Sequence, residues 1–361
     1  MSDLNTSAAG PADSADAADA AEKRRSERQI FYKKIDQYNL TPLWEQLHNL
    51  VTKTPVSDCR HAHWEYGKMR AYLAEAGDLI TAEEAIRRVL VLENPGLRGK
   101  AAVTTSLYAG LQMILPGEIA PPHRHTQAAL RLVLEGEGAY TSVEGEKTIM
   151  HRGDFVTTPS WTWHEHGNES DAPMIWLDGL DVPLVAMLDA SFSEHAHEQK
   201  TPSAFKAAGD SKARFGSNLL PVDWVPPSPS SPLFCYPYKE TLASLRTIAA
   251  GEADACHGYK LRYANPVTGG YPMPTMGAYI QLLTDGFATA GYRCSAGTVF
   301  AVIDGEVTVE LEGASFTARP NDVFVVPSWA RHWFTARGET VLFSFSDRPV
   351  QEVLGLWREQ R

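Results

Sequence analysis

The sequence predicts an all-β core of two antiparallel β-barrel or jelly-roll domains behind an N-terminal helical extension. Three observations carry that expectation. From Ala101 to about Leu188, and again from about Met273 to Phe345, the apolar period shortens to two, and turn signals come often, at Pro116-Gly117, Glu135-Gly136, Glu144-Gly145 and Arg152-Gly153 in the first stretch. The two stretches repeat each other: Gly153-Asp-Phe-Val-Thr-Thr-Pro159-Ser-Trp161 is answered by Asn321-Asp-Val-Phe-Val-Val-Pro327-Ser-Trp329, and Gly136 by Gly305, an offset of about 169 residues that reads as one duplicated domain. A chain of 361 residues that is 43% hydrophobic and 10% aromatic has ample material for such a core.

Taken in order, residues 1–28 are rich in Ala, Ser and Asp, have no aromatic residue before Phe31, and read as a disordered tail. Residues 29–97 read as a helical region. Ile30, Phe31, Ile35 and Tyr38, then Leu43, Trp44, Leu47 and Leu50, then Met69, Tyr72 and Leu73 recur at three- and four-residue spacings, with Thr41-Pro42 as N-cap and first-turn pair before Trp44. Residues 98–190 form the first barrel. Residues 191–262 read as a linker, since six prolines between Pro221 and Pro237 suit an extended connection, with a short helix near Lys239 to Ala249. Residues 263–348 form the second barrel, and residues 349–361 end the chain in a helix.

Charge and composition narrow the function. With 33 basic against 44 acidic residues the net charge is −11, and no basic run could track a phosphate backbone, so nucleic acid is excluded as a partner. No apolar stretch has the length of a membrane span and no secretory signal is visible, so a cytoplasmic address is expected. Cys59, Cys235, Cys256 and Cys294 are scattered without a C-x-x-C pair, which suits reduced thiols.

The chemistry gathers in the first barrel. Gly117 is followed after five residues by His123-Arg124-His125, and His164 comes five residues after Pro159. Two histidines at i and i+2 of a strand share a face, and a third from a neighbouring strand completes a facial set of neutral ligands that leaves positions open on a divalent transition metal. Arg131, six residues after His125, is on the same face if the strand is continuous, and its guanidinium can take a carboxylate in two parallel hydrogen bonds. In the second copy Tyr292-Arg293-Cys294 stands in place of His-Arg-His while His332 remains, so a barrel kept for packing, without metal, is expected there. His61-Ala62-His63 and His195-Ala196-His197 read as solvated. Tyr108, Trp161, Trp163 and Trp176 read as core or pocket wall.

The G-x5-H-x-H motif and the later G-x5-P motif with His164 and Asn168 resemble the two signature motifs of the cupin superfamily, and the duplication resembles a bicupin. Cupins commonly carry a glutamate ligand where this chain has Ala129, so the site keeps the full charge of its ion and suits a substrate bringing two anionic oxygens. Leu40-Thr-Pro-Leu-Trp44, Glu93-Asn-Pro-Gly96, Ala109-Gly-Leu-Gln112, Pro121-Pro-His-Arg-His-Thr-Gln127, Trp163-His-Glu-His166 and Leu177-Asp-Gly-Leu-Asp-Val-Pro183 narrow the likeness. Together they resemble the gentisate 1,2-dioxygenase family, from about residue 30 to the C-terminus. That resemblance implies Fe(II) on His123, His125 and His164, one ion per chain, and substrate contacts at Arg131, Gln112 and Arg87. It also implies hydrogen bonding near the iron at His166 and Asp178, as proton carriers or as supports. The implied reaction takes a small aromatic acid and O₂ and opens the ring between the carboxyl- and hydroxyl-bearing carbons, gentisate giving maleylpyruvate, in a homo-oligomer, a tetramer by resemblance. Salicylate, a substituted salicylate or 1-hydroxy-2-naphthoate are alternative substrates, and a non-catalytic bicupin that binds metal or a small acid is the reading from a different class.

Overall fold

The protein is described by a computed structural model covering residues 11–196 and 205–361. The chain divides after Thr54 into two units. In the first, helices Pro11–Asp36 and Leu43–Leu50 are tied together by a Tyr32 hydroxyl bond to Glu45 and by Trp44 Nε1 donating to Tyr32 at 2.8 Å. Residues 11–28 are therefore helical, where composition predicted a disordered tail. This stretch is exposed over residues 17–28. Its Ala, Glu, Lys and Arg are strong helix formers with no glycine after Gly10, and propensity suffices. Pro42 itself caps the second helix, one residue later than expected.

The second unit holds both barrels. The first is a six-stranded sheet, in the order Cys235–Tyr236, Phe155–Thr158, Ala129–Glu135, Met174–Leu180, Tyr108–Ile114 and Val89–Val91, and a five-stranded sheet, in the order Ser193–His195, Ile119–His125, His164–Asn168, Ala139–Val143 and Glu146–Ile149. In the second barrel, a seven-stranded sheet runs Ala62–Trp64, Val323–Val326, Thr298–Leu311, His332–Ser346, Gly277–Leu283 and Tyr259–Arg262, with Ala314–Ala318 paired to Thr298–Leu311. All of these ladders are antiparallel. The barrels pack through one continuous apolar core. On strand Ala129–Glu135, Leu130, Leu132 and Leu134 join Phe343, Phe345 and Val325 in that core, while Val133 turns the other way into the first barrel with Val156 and Trp176. Burying both faces hides the period of two: every residue from Ala129 to Leu134 is buried, and Arg131 is the one polar residue that marks the lumen side. Gly179 is required here, because a Cβ would stand 2.7 Å from the Phe345 ring.

The duplication runs further than the motifs reveal. Strand Ala62–Trp64, helix Tyr66–Leu79 and strand Val89–Val91 open the first copy, and strand Cys235–Tyr236, helix Tyr238–Ile248 and strand Tyr259–Arg262 open the second. Each opening strand pairs with the other barrel, Trp64 against Val323 and Tyr236 against Phe155. The same clasp fixes both crossings: the Tyr66 amide donates to Asp322 Oδ1 at 2.7 Å, and the Tyr238 amide to Asp154 Oδ1 at 2.9 Å. Residues 29–97 are thus not wholly helical, and Ser193–His195, Cys235–Tyr236 and Tyr259–Arg262, within the expected linker 191–262, are barrel strands. The C-terminal helix is also corrected: helix Arg348–Val353 is followed by strand Glu359–Gln360 on Arg293–Cys294, as helix Val182–Met187 is followed by Ser193–His195 on His123–His125. Strands of two or three residues are too short to display a period, which is why the sequence concealed them. Among the described residues no helix is long and apolar enough to cross a membrane.

Candidate metal centre

His123 and His125 lie on strand Ile119–His125, and His164 opens the neighbouring strand directly across from His123. The turn after Pro159 fixes this edge. Trp161 takes φ +61°, and its amide donates to the His125 carbonyl at 2.8 Å; Trp329, at φ +63°, does the same to Cys294 at 2.7 Å in the second copy. The three imidazoles converge, with their ligand atoms all within 4.8 Å of one another. Each Nδ1 faces a backbone carbonyl two residues away: His123 to Pro121 at 3.0 Å, His125 to Gln127 at 2.8 Å and His164 to Thr162 at 2.9 Å. A carbonyl only accepts, so each Nδ1 carries the proton and each Nε2 lone pair faces inward. His164 Nε2 is buried with no hydrogen-bond partner. Burial first, and then neighbouring cations, hold His123 down at about 3 and His125 at about 4; burial and His123 hold His164 well below the usual histidine range. Three neutral imidazoles, one with an orphaned inward nitrogen, fit a divalent transition metal, and the group marks a metal site.

The facing sheet supplies the polar partners. Arg131 is 4% exposed, donating from Nη1 to Thr158 at 2.7 Å and from Nη2 to His166 Nε2 at 3.0 Å, with Nε 3.3 Å from Asp178 Oδ1. Because a guanidinium only donates, His166 Nε2 must accept, so His166 Nδ1 donates to Thr141 Oγ1 at 3.0 Å. Asp178 also accepts from Trp176 Nε1 at 3.1 Å. Burial raises the Asp178 carboxyl while Arg131 opposes it, and burial draws Arg131 down to about 10. Burial, reinforced by Arg131, keeps His166 neutral.

Arg87 and Arg88 part company. Ile86 adopts φ +56° after the short helix Ala82–Ala85, a backbone that β-branched residues avoid, and the guanidinium of Arg87 reaches His123 Nε2. Arg88 instead forms a two-pronged pair with Glu118, both bonds 2.9 Å. Gln112 is 3% exposed and borders a narrow crevice with Arg87 and Ala120. Two guanidinium charges against one carboxylate leave this region positive before any ion is counted.

Sequence reasoning missed Thr141 and Thr158, which hold His166 and Arg131, and underrated Tyr108. Burial first, and then Asp178, raise the Tyr108 phenol, with Arg87 opposing. The signal was its even spacing to Gln112 on one strand. His63 is not solvated: it bonds Asp322 at 2.9 Å and stacks on Phe316, because its segment is a strand rather than a helix. His195 is exposed on the strand beside His123–His125, with its ring 6.1 Å from that of His123, and His197 lies outside the described residues. In the second barrel Tyr292 donates to Glu359 at 2.8 Å and Cys294 to the Ala296 carbonyl at 3.6 Å, while His332 Nδ1 faces the Ala330 carbonyl at 3.4 Å.

Two barrels with a histidine triad in the first define a cupin metalloprotein, and the cupin domain family matches residues 110–181 and 295–345. Gentisate 1,2 dioxygenase 1 of Aquipseudomonas alcaligenes is 51% identical over 93% of this chain and 96% of its own length. The 5-aminosalicylate 1,2-dioxygenase of a Comamonas species is 35% identical over 89% of this chain and 87% of its own. Salicylate 1,2-dioxygenase from Pseudoaminobacter salicylatoxidans, in its crystal structure as an adduct with gentisate, superimposes with a TM-score of 0.87 at 34% identity, covering 92% of this chain and 93% of that one. The chain belongs to the gentisate 1,2-dioxygenase family, and it is a ring-cleaving dioxygenase.

Proposed function

We propose that the chain opens the ring of gentisate between the carboxyl-bearing carbon and the adjacent hydroxyl-bearing carbon, adding both atoms of O₂ to give maleylpyruvate, with Fe(II) on His123, His125 and His164. The observation that carries this reading is the orphaned Nε2 of His164 in a site that also holds the buried guanidinium of Arg131 and the half-buried one of Arg87. An ion held by His123, His125 and His164 would supply a Lewis-acidic, redox-active centre for a substrate that brings a carboxylate and an ortho oxygen. Arg131 binds and orients the substrate carboxylate, since each of its terminal nitrogens has a second N–H beyond those given to Thr158 and His166. Arg87 contributes a second positive charge, and Gln112 a neutral contact at the ring edge. His166 and Asp178 act through Arg131: both ring nitrogens of His166 are engaged, so it is a positioning residue rather than a proton carrier. The para hydroxyl of gentisate makes its ring more electron-rich than that of salicylate, which favours gentisate as substrate.

The expected assembly is a homo-oligomer, a tetramer by family resemblance. The exposed apolar run of Leu219, Leu220, Val222 and Val225 supports association, and light scattering on the purified protein measures it. Four unpaired cysteines support a reducing, cytoplasmic setting. The deciding experiment loads the protein anaerobically with Fe(II) and follows O₂ uptake with gentisate, salicylate and 1-hydroxy-2-naphthoate in parallel. Uptake with gentisate that is lost in His123→Ala supports the proposal. Uptake with another acid alone changes the substrate, and none from iron-loaded protein overturns the reading.

A further inference from the structure

The second barrel has lost its histidine triad but has not been filled. A cavity of about 460 Å³ opens in it, within the range of small-molecule sites. Its register repeats that of the first barrel. Gln281 stands where Gln112 stands, paired with Lys260 as Gln112 is with Val89, and the row Tyr279, Ser344, Phe300 replaces Gly110, Asp178, Arg131. The buried ion pair of the first site is therefore gone, and a different cation enters from an adjoining strand.

Gln281 is a polar side chain left without a polar partner here, and Lys260 stands against aromatic rings. Gln281 is 1% exposed, lines the cavity, and neither its amide nitrogen nor its oxygen has a hydrogen-bond partner. Burying such a group is unfavourable for each donor and acceptor left unpaired. Lys260 also lines the cavity and forms no ion pair among the described residues. Its ammonium is placed 5.1 Å from the Tyr279 ring and 5.9 Å from the Phe300 ring. Burial pulls it down to about 8.

We propose that this cavity is a second ligand site that takes a small aromatic carboxylate. Lys260 faces the carboxylate, the Gln281 amide donates to it or accepts from a ring hydroxyl, and Tyr279, Phe300 and Phe334 flank the ring. At the lining Arg348 is paired with Glu352, and Arg361 with Asp254 and Glu359, which leaves Lys260 and Arg262 as the cations without a carboxylate among the described residues and favours an anion over a metal cation. The aromatic walls favour an organic acid over inorganic phosphate.

Equilibrium dialysis of anaerobic, iron-loaded protein against radiolabelled salicylate tests this without turnover. Two sites per chain are expected in the wild type and one in Lys260→Met, with Gln281→Leu weakening the second site at least tenfold. His123→Ala should keep the second-barrel site, which separates this inference from the reading of the first. On unmutated protein, benzoate should protect Lys260 from an amine-acetylating reagent, read by mass spectrometry, while phosphate at the same concentration should not. A single site per chain unaffected by Lys260→Met, or Lys260 acetylation indifferent to benzoate, would overturn the proposal.

Discussion

Replacing Arg131 by methionine tests the division of labour between the two sheets of the first barrel. The side chain is 4% exposed and bonds Thr158 at 2.7 Å and His166 at 3.0 Å, with Asp178 3.3 Å from its Nε. Hydrogen bonds to a charged group contribute about 1.5–3 kcal/mol each, so losing a substrate carboxylate held by two of them costs about 3 kcal/mol or more. At about 1.4 kcal/mol per factor of ten, kcat/KM for gentisate should fall at least a hundredfold. The structural penalty is smaller than for an ordinary broken buried pair. Asp178 already has its carboxyl raised by burial, and without Arg131 it takes up a proton instead of remaining a buried unpaired anion. Thermal unfolding should therefore shift modestly while iron content stays at one per chain. Oxygen-electrode kinetics with metal analysis on the same preparation makes the measurement, and Arg131→Lys, which keeps the charge but not the planar fork, should recover less than a tenth of the lost rate. If Arg131→Met keeps kcat/KM within threefold of wild type at equal iron content, the carboxylate does not bind there and the argument fails.

Three further outcomes follow from the same geometry. His164→Ala removes the orphaned Nε2 and should reduce bound iron below a tenth of an ion per chain by elemental analysis, with the far-UV dichroism unchanged; retained iron would count against the triad. In the metal-free protein His125 and His332 are held at about 4 and His123 and His257 at about 3, below the ordinary value of 6.5. The unfolded chain then binds more protons between those values, so stability should fall as pH drops from about 6.5 toward 4, with iron loading steepening the loss; a melting temperature flat across that window would contradict it. Asp322→Ala strips the acceptor used by Tyr66 at 2.7 Å, His63 at 2.9 Å and Arg319 at 3.0 Å. The expected cost is about 2–4 kcal/mol, seen as a melting temperature lower by about 5 °C, while kcat/KM stays within twofold because the clasp serves the second barrel.

By itself the sequence determined whatever is written locally. His123, His125 and His164 were legible because strand periodicity and the Gly and Pro turns fix which side chains share a face, and the duplication was legible because two copies keep the same turns at one offset. Arg131 was legible by the same parity. The helix over residues 11–28 was not legible from composition, because a segment without buried surface can still be helical through the propensity of its Ala, Glu, Lys and Arg. Tertiary structure alone decided the remainder. That Ala62–Trp64 and Cys235–Tyr236 cross to the opposite barrels depends on pairing between residues far apart in the chain, and strands of two or three residues carry no periodic signal. That Arg87 enters the site while Arg88 pairs with Glu118 depends on one backbone turn at Ile86. That His166 Nε2 accepts from Arg131 while Nδ1 donates to Thr141 depends on which partner meets each ring nitrogen, and a tautomer is set by neighbours in space rather than by neighbours in sequence.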